Sequence, residues 1–129
     1  MIVLNLPYPP SVNNYWIASG HRRFISKRGV EFKNAVRAYC IEFRTPSFGN
    51  QAVWVEIVLH PRNKRLQDID NVLKPILDSL IEIVYDDDVQ VQSLQITRGQ
   101  VIKNGGCRVM IDVYPPSSGE SSLTENRWV

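Results

Sequence analysis

Two groups of aspartates flank an apolar segment near the middle of the chain. Asp68 and Asp70 precede this segment and Asp86–Asp88 follow it, so five of the 13 acidic residues lie at its two ends. The chain as a whole has a formal charge of +2, which makes this acidity a local feature. A divalent-cation site would require such carboxylates to meet after folding, whereas a solvated acidic surface would spread them out.

These residue types suggest metal-assisted chemistry on phosphate groups. Carboxylate oxygens suit Mg²⁺ or Mn²⁺, and carboxylate-held Mg²⁺ with phosphate in its free positions is the usual arrangement of phosphoryl-transfer and nuclease sites. Residues two apart in an extended segment project to one side, so Asp68 and Asp70 are predicted to face one point. Lys74 follows about one helical turn later, where its ammonium would bind a phosphate oxygen. Without a cation, gathered carboxylates should have raised pKa values.

Each acidic group also has a plain structural interpretation. An Asp before a helix is often an N-cap that favours the helix dipole, and three successive aspartates often form a solvated turn. A buried helix is predicted over 71–84, about 14 residues and about 20 Å long, which by itself would keep Asp88 far from Asp68. The two groups would therefore meet only if the following strand turns back along the helix.

The elements around these residues predict an α+β domain, with two main helices packed on a small mixed, mostly antiparallel sheet. In chain order, the predicted strands cover residues 1–6, 15–17, 23–25, 52–60, 89–102 and 108–114. The pair Asn104-Gly105 favours a β-hairpin between the last two strands. Prolines after the first strand indicate an extended loop, and Pro75 requires a position in the first turn of its helix.

A second helix is predicted over 26–44, with Ser26 as its N-cap. Its apolar face would be formed by Phe32, Val36, Tyr39, Cys40 and Phe43. Lys and Arg residues would form a basic stripe on the opposite side of this helix. The helix therefore has one face for the core and one for solvent or an anion.

Length and composition place limits on the class of protein. A chain of 129 residues predicts one domain, over 1–114, followed by a flexible tail at 115–129. Because no run approaches about 18 apolar residues, no membrane span is expected. The proline-broken start lacks a basic region, so no secretory signal and a cytoplasmic location are expected. Cys40 and Cys107 lie outside any metal or redox pattern and are predicted to be buried, reduced thiols.

Charge is distributed unevenly along the chain. Residues 1–65 contain ten Lys or Arg residues and three acids, a net charge of +7, whereas residues 66–129 carry −5. A basic half indicates an anionic partner, although a solvated basic face is the more common cause of such a pattern. The basic side chains of this half include Arg22, Arg23, Lys27, Arg28, Lys33, Arg37, Lys64 and Arg65.

Three stretches of the chain resemble the RusA family of Holliday junction resolvases, small endonucleases of phages and prophages. These are "LPYPPSVNNYW", "RLQDIDNVLKPILDSL" and "DDDVQV". They match a Pro-rich start with Asn, the motif D-x-D-N-x-x-K and the motif D-D-x-Q, within a similarity that spans residues 2–114. The segment "IEIVY" lacks the Gly expected between the last two motifs.

The resemblance implies a set of site residues. Asp68, Asp70 and Asp88 would bind Mg²⁺, with Mn²⁺ as a substitute, and Lys74 would be the essential lysine. Asp87 remains the alternative third ligand, because three successive aspartates leave the register open by one residue. The catalytic residues would then be Asp68, Asp70, Lys74 and Asp88, with Lys74 stabilising charge on the transition state.

The resemblance also implies partners. The protein would be a homodimer that binds four-way junction DNA and nicks two opposing strands symmetrically, without a small-molecule cofactor or a membrane. Its phosphate contacts would come from the basic residues named above and from the turn "RNKR" at 62–65. Trp16 and Phe24 would stack on or wedge between bases at the junction, although core positions are the favoured interpretation for both.

Three other functions fit the residues. They are a catalytically silent DNA-binding module, a metal-dependent phosphohydrolase of small phosphates, and a structural protein whose acidic triplet is a solvated turn. The intact carboxylates and Lys74 favour an enzyme over a silent module. The basic half of the chain favours a polymeric anion over a small phosphate.

Overall fold

The computed structural model describes residues 1–65 and 67–116, and the predicted tail from 117 onward lies outside the described residues. The elements in chain order are β1 (Ile2–Leu6), α1 (Val12–Tyr15), β2 (Trp16–Ser19), β3 (Arg22–Ile25), α2 (Lys27–Glu42), β4 (Val53–His60), α3 (Leu73–Ser79), β5 (Val91–Arg98) and β6 (Gly106–Val113). Short 3₁₀ helices, Ile69–Val72 and Asp88–Gln90, precede α3 and β5. The predicted α+β class is confirmed.

A four-stranded sheet with strand order β1–β6–β4–β5 carries the core. β6 is antiparallel to both of its neighbours, while β5 runs parallel to β4. Because β4 is an inner strand that also faces the helices, its side chains at Val53, Val55, Ile57 and Leu59 are all buried. β2 and β3 form a separate two-stranded hairpin.

α2 covers the sheet and begins where the sequence predicts. Ser26 is its N-cap, and the Ser26 Oγ accepts a hydrogen bond from the Gly29 amide at 3.0 Å. Phe32, Val36 and Cys40 from this helix are buried in the same core as the inner faces of the strands. Both cysteines are buried free thiols, as predicted. Among residues 1–65 and 67–116, no helix is long and apolar enough to cross a membrane.

The last two strands do not form the predicted hairpin. β4 lies between β5 and β6, because β5 pairs parallel with one edge of β4 and leaves the other edge for β6. The connection at 99–105 crosses the end of β4, where the Gly99 amide donates to the Leu59 carbonyl at 2.8 Å. Asn104 and Gly105 do adopt the left-handed turn conformation, with φ of 67° and 69°. The turn prediction was correct and the pairing prediction was wrong.

The helix predicted over 71–84 is also shorter than expected. α3 ends at Ser79, and the chain then turns through Glu82, whose φ is 68°. The Tyr85 hydroxyl donates to the Leu77 carbonyl at 2.7 Å, a carbonyl in the last turn of the helix that also accepts from the Leu80 amide at 3.3 Å. The turn exists without the expected Gly, because Glu82 takes the left-handed conformation that Gly would favour.

Three smaller differences concern single residues. Phe43 was predicted on the apolar face of α2 but is 59% exposed, because the helix ends one residue earlier. The end of the proline-rich loop, predicted to be extended, forms the short helix α1. Pro75 lies in the first turn of α3, as its missing amide hydrogen requires.

Candidate active site

The two aspartates of the D-x-D motif lie at the start of a 3₁₀ helix and not in an extended segment as predicted. Asp68 has extended backbone angles at the N-cap position, while Asp70 is already inside the helical turn. Both side chains are exposed. Within the described part of the chain, the Asp68 side chain makes no capping hydrogen bond. Its carboxylate oxygens are therefore not used by the backbone of the helix that it precedes.

Lys74 and Asp88 form the closest charged contact of the site. The Lys74 ammonium, on the first turn of α3, forms a hydrogen-bonded ion pair with the Asp88 Oδ2. The Asp88 side chain is only 16% exposed, whereas that of Lys74 is 52% exposed. The hydrogen bond from Lys74 lowers the pKa of the Asp88 carboxyl. The sequence predicted a raised pKa for carboxylates gathered without a cation, and at Asp88 the lysine supplies that positive charge.

The three residues of the acidic triplet have different surroundings. Asp87 is the N-cap of the 3₁₀ helix and forms a capping box with Gln90, in which the Gln90 Oε1 accepts from the Asp87 amide at 2.8 Å. Asp86 is exposed and contacts the neighbouring loop through its backbone amide. Asp88 is thus the member of the triplet whose carboxylate contacts Lys74.

Gln90 anchors the acidic turn to the loop that precedes β4. Its Nε2 donates to the Gly49 carbonyl at 2.7 Å and to the Gln51 carbonyl at 2.8 Å. The Gly49 carbonyl also accepts from the Asp86 amide at 3.0 Å. The amide group of Gln90 therefore fixes the turn that carries Asp88. Gln90, Gly49 and Gln51 were not among the predicted site residues, and the only signal in the sequence for any of them is the Gln of the D-D-x-Q motif.

The grouping of the carboxylates differs from the predicted metal site. Within residues 1–65 and 67–116, no three Asp, Glu, His or Cys side chains are grouped closely enough to hold one metal ion. The chain after α3 does turn back and bring Asp88 to this helix. There Asp88 contacts Lys74, in the first turn of α3. The oxygen donors of Asp68, Asp70 and Asp88 suit Mg²⁺ chemically, but the three side chains are not gathered around one point in this structure.

A groove of about 430 Å³ opens beside Asp68. Its lining includes Tyr8, Asn14, Arg28, Arg62, Asp68 and Asn71. The Tyr8 hydroxyl donates to the Gln67 Oε1 at 3.0 Å, which fastens the proline-rich loop to the residue before Asp68. Two guanidinium groups and several amide and hydroxyl groups along such a groove suit a phosphodiester backbone. Arg62 belongs to the turn at 62–65, which was predicted to contact phosphate.

The predicted phosphate-binding side chains are accessible. Arg22, Arg23, Lys27, Arg28, Arg37, Lys64 and Arg65 are exposed, and Lys33 is partly buried. Core positions were the favoured interpretation for the two aromatic residues of the hairpin, which is wrong for Phe24, since it is 48% exposed. Trp16 is partly buried, and the Arg23 guanidinium lies 4.5 Å from the centre of its ring.

The fold and site define a small α+β protein with a carboxylate–lysine pair and a set of exposed basic residues. Residues 7–114 match the family model described as Endodeoxyribonuclease RusA. The chain therefore belongs to the RusA family of endodeoxyribonucleases, enzymes that hydrolyse DNA. The resemblance noted from the three motifs is confirmed.

Individual relatives cover most of the chain. It is 31% identical over 107 residues to the crossover junction endodeoxyribonuclease rusA of Enterobacteria phage HK97, which covers 82% of this chain and 89% of that protein. The proteins of the same name from Enterobacteria phage 82 and Escherichia coli strain K12 are 30% and 29% identical over 110 residues. In each case 84% of this chain and 91% of the relative are covered.

Proposed function

We propose that this protein is a structure-selective endonuclease that resolves four-way, or Holliday, DNA junctions by symmetric nicking. The observation that carries the proposal is family membership over residues 7–114, together with relatives named crossover junction endodeoxyribonucleases. The contact between Lys74 and Asp88 supports it, because it joins residues of both sequence motifs in one place. The proposed place of action is the cytoplasm of a bacterial cell, for a protein encoded by a phage or a prophage.

The proposed assembly is a homodimer. Resolution of a two-fold symmetric junction needs two equivalent cuts, and a dimer with two-fold symmetry provides two identical sites. The exposed basic residues of each copy would contact phosphates, which position DNA without reading its sequence. Binding should therefore weaken steeply as salt rises.

The proposed cofactor is Mg²⁺, with Mn²⁺ as a substitute, held by Asp68, Asp70 and Asp88, whose side chains would have to draw together around it. Bound there, it would neutralise charge at the scissile phosphate and acidify a coordinated water. The available Asp68 carboxylate and the oxygen chemistry of the three side chains support this assignment. Asp88 is preferred over Asp87 because the Asp87 side chain already caps the 3₁₀ helix.

The protein's own residues contribute binding and charge. The ammonium of Lys74, half exposed at the first turn of α3, would stabilise negative charge that develops on the phosphate. Its contact with Asp88 keeps that ammonium directed into the site before DNA arrives. The arginines of the groove beside Asp68 would hold the neighbouring backbone phosphates.

The decisive test is cleavage of a synthetic four-way junction by an Asp70→Asn variant. We expect junction binding to persist, since negative charge is removed, and the cleavage rate to fall by at least about a hundredfold. The matched control is Asp86→Asn, which makes the same charge change at an exposed turn residue and should cut normally. Cleavage should also stop when Mg²⁺ is chelated and return when it is restored.

Three results would overturn the proposal. Asp70→Asn could cut at the wild-type rate, which would remove Asp70 from the site. Wild-type protein with Mg²⁺ could bind junctions without cutting them, as a silent module would. It could also hydrolyse small phosphate esters and leave junctions intact, as a phosphohydrolase would.

A further inference from the structure

The hairpin formed by β2 and β3, residues 16–25, has an outward face with both apolar and basic side chains. Ile17 and Phe24 are cross-strand partners, so their side chains project from the same face of the ribbon. Ile17 is 53% exposed and Phe24 is 48% exposed. Ser19 and Arg22 form the next pair on this face, toward the tip. Two large apolar side chains exposed side by side, next to an arginine, make this face a candidate binding surface.

The opposite face fixes the hairpin to the rest of the protein. Trp16 packs edge-on against the buried Tyr15, with 4.5 Å between ring centres. The Arg23 guanidinium lies over the Trp16 ring. Gly29 in the first turn of α2 lets the helix approach the base of the hairpin closely, because a Cβ there would lie 2.7 Å from the Ile25 side chain and from the Tyr15 carbonyl. The outward face is therefore presented from a supported base.

The base of the hairpin lies against the elements that carry the candidate active site. The Tyr15 hydroxyl donates to the Asp78 Oδ2 of α3 at 2.9 Å. At the other end of the hairpin, Ser26 directly follows β3, and its backbone amide donates to the Tyr15 carbonyl at 2.7 Å. α3 is also the helix that presents Lys74. The base of the hairpin is thus hydrogen-bonded to the helix that carries Lys74.

Charge identifies the kind of partner. Residues 1–30 contain no Asp or Glu, and basic residues occupy the tip and the segment that follows the hairpin: His21, Arg22, Arg23, Lys27 and Arg28. Two copies of this hairpin would repel each other if they met face to face. A polyanion would instead be attracted to the hairpin from several directions.

Phosphate contacts alone do not explain Ile17 and Phe24, since phosphates need only cations and hydrogen-bond donors. Aromatic side chains contribute to DNA binding by stacking on the flat faces of bases, which are covered inside a continuous duplex. Those faces become accessible where strands part or exchange. We infer that the outward face of the hairpin, through Phe24 and Ile17, stacks on bases exposed at the branch point and so distinguishes branched DNA from duplex.

This inference rests on the proposed function, and it can be tested by binding without any cleavage. The double variant Ile17→Ala/Phe24→Ala would be compared with wild type on two probes, a four-way junction with 2-aminopurine at the branch point and a duplex of the same sequence. Wild type should change the 2-aminopurine fluorescence on binding the junction, and the double variant should not. Junction affinity should fall about 5- to 150-fold, the equivalent of roughly 1–3 kcal/mol per stacked base, while duplex affinity stays within about twofold.

The matched control is Phe43→Ala, which removes a ring that is 59% exposed, somewhat more than Phe24, beyond the far end of α2. A second variant, Phe24→Trp, keeps a stacking surface and should retain junction affinity and the fluorescence change. Both readouts are independent of catalysis, so a wild type that binds junctions without cutting them would defeat the proposed nuclease activity but not this inference.

Two results would overturn the inference. The double variant could bind the junction as tightly as Phe43→Ala does, with the same fluorescence change. Alternatively, wild type could sediment as a dimer and the double variant as a monomer, which would make the outward face a contact between copies of this chain.

Discussion

At the scale of single residues, the acidic triplet shows how neighbours of the same type take different roles. Asp87 caps a 3₁₀ helix, Asp86 contacts a loop through its backbone, and Asp88 pairs with Lys74. The side chains are chemically identical, so the difference comes from the direction in which the turn presents each one. That direction is fixed by Gln90, whose amide makes three hydrogen bonds to backbone groups.

Gln90 is therefore expected to act as a positioning residue for Asp88. The substitution Gln90→Glu keeps the size of the side chain but removes the two hydrogens donated to Gly49 and Gln51. The cleavage rate of bound junction should fall by about ten- to a hundredfold, because small misplacements at a reacting centre have large effects, while junction affinity should change little. Single-turnover cleavage and a binding titration separate the two effects.

Gln92→Glu provides the comparison, since it introduces the same charge two residues away at an exposed position of β5. If both variants cut equally fast, Gln90 does not position the site. Thermal melts of both proteins would show whether any loss of rate reflects unfolding.

At the scale of elements, the turn after α3 is strained at one position. Glu82 has a φ of 68° and an exposed side chain, and a left-handed conformation costs a non-glycine residue about 1–2 kcal/mol. Glu82→Gly should remove that cost, offset in part by greater freedom of the unfolded chain. The free energy of unfolding should rise by about 0.5–1 kcal/mol in urea denaturation.

Glu42→Gly is the opposite case, because Glu42 is the last residue of α2 and lies in an ordinary helical conformation. Gly at that position should lower the free energy of unfolding. A drop in stability for Glu82→Gly as well would show that the turn does not relax as expected.

The groove between the proline-rich loop and Asp68 gives a second expectation at this scale. Arg28→Ala and Arg62→Ala should each weaken junction binding and reduce the slope of log affinity against log salt by about 1, because each loses one phosphate contact. Titrations at several salt concentrations measure that slope. Arg44→Ala, just beyond the far end of α2, should leave it unchanged, and an equal effect at Arg44 would refute a specific role for the groove.

At the scale of the whole molecule, the core protects both cysteines. Cys107 is 2% exposed and Cys40 is 7% exposed. Burial raises the pKa of the Cys107 thiol to about 12 and also raises that of Cys40. At pH 8 both thiols are therefore protonated in the folded protein, and the reactive thiolate is scarce.

We expect the native protein to react slowly with a thiol reagent such as DTNB at pH 8, and two thiols per chain to react rapidly in denaturing urea. Absorbance of the released thionitrobenzoate measures both phases. Rapid reaction of one thiol in the native state would show that the core opens around that residue, and Cys40→Ser and Cys107→Ser would identify which one.

Much of the local structure follows from local sequence. Ser26 begins α2, and the alternation of Val53, Val55, Ile57 and Leu59 predicts β4, because capping and burial patterns act over a few residues. The candidate site residues and the family also follow from short motifs. Their assignment to metal binding and catalysis stays a prediction.

Only the tertiary structure decided how these pieces meet. Asn104-Gly105 predicts a turn, but strand partners depend on which edge of β4 is free, a property of the whole sheet. The contact of Lys74 with Asp88 likewise depends on where a shortened helix ends and how the chain returns. Types and spacings of residues determined which chemical groups and local elements are available. Their pairing across long stretches of chain was set by packing, because contacts distant in sequence leave no periodic signal in either partner.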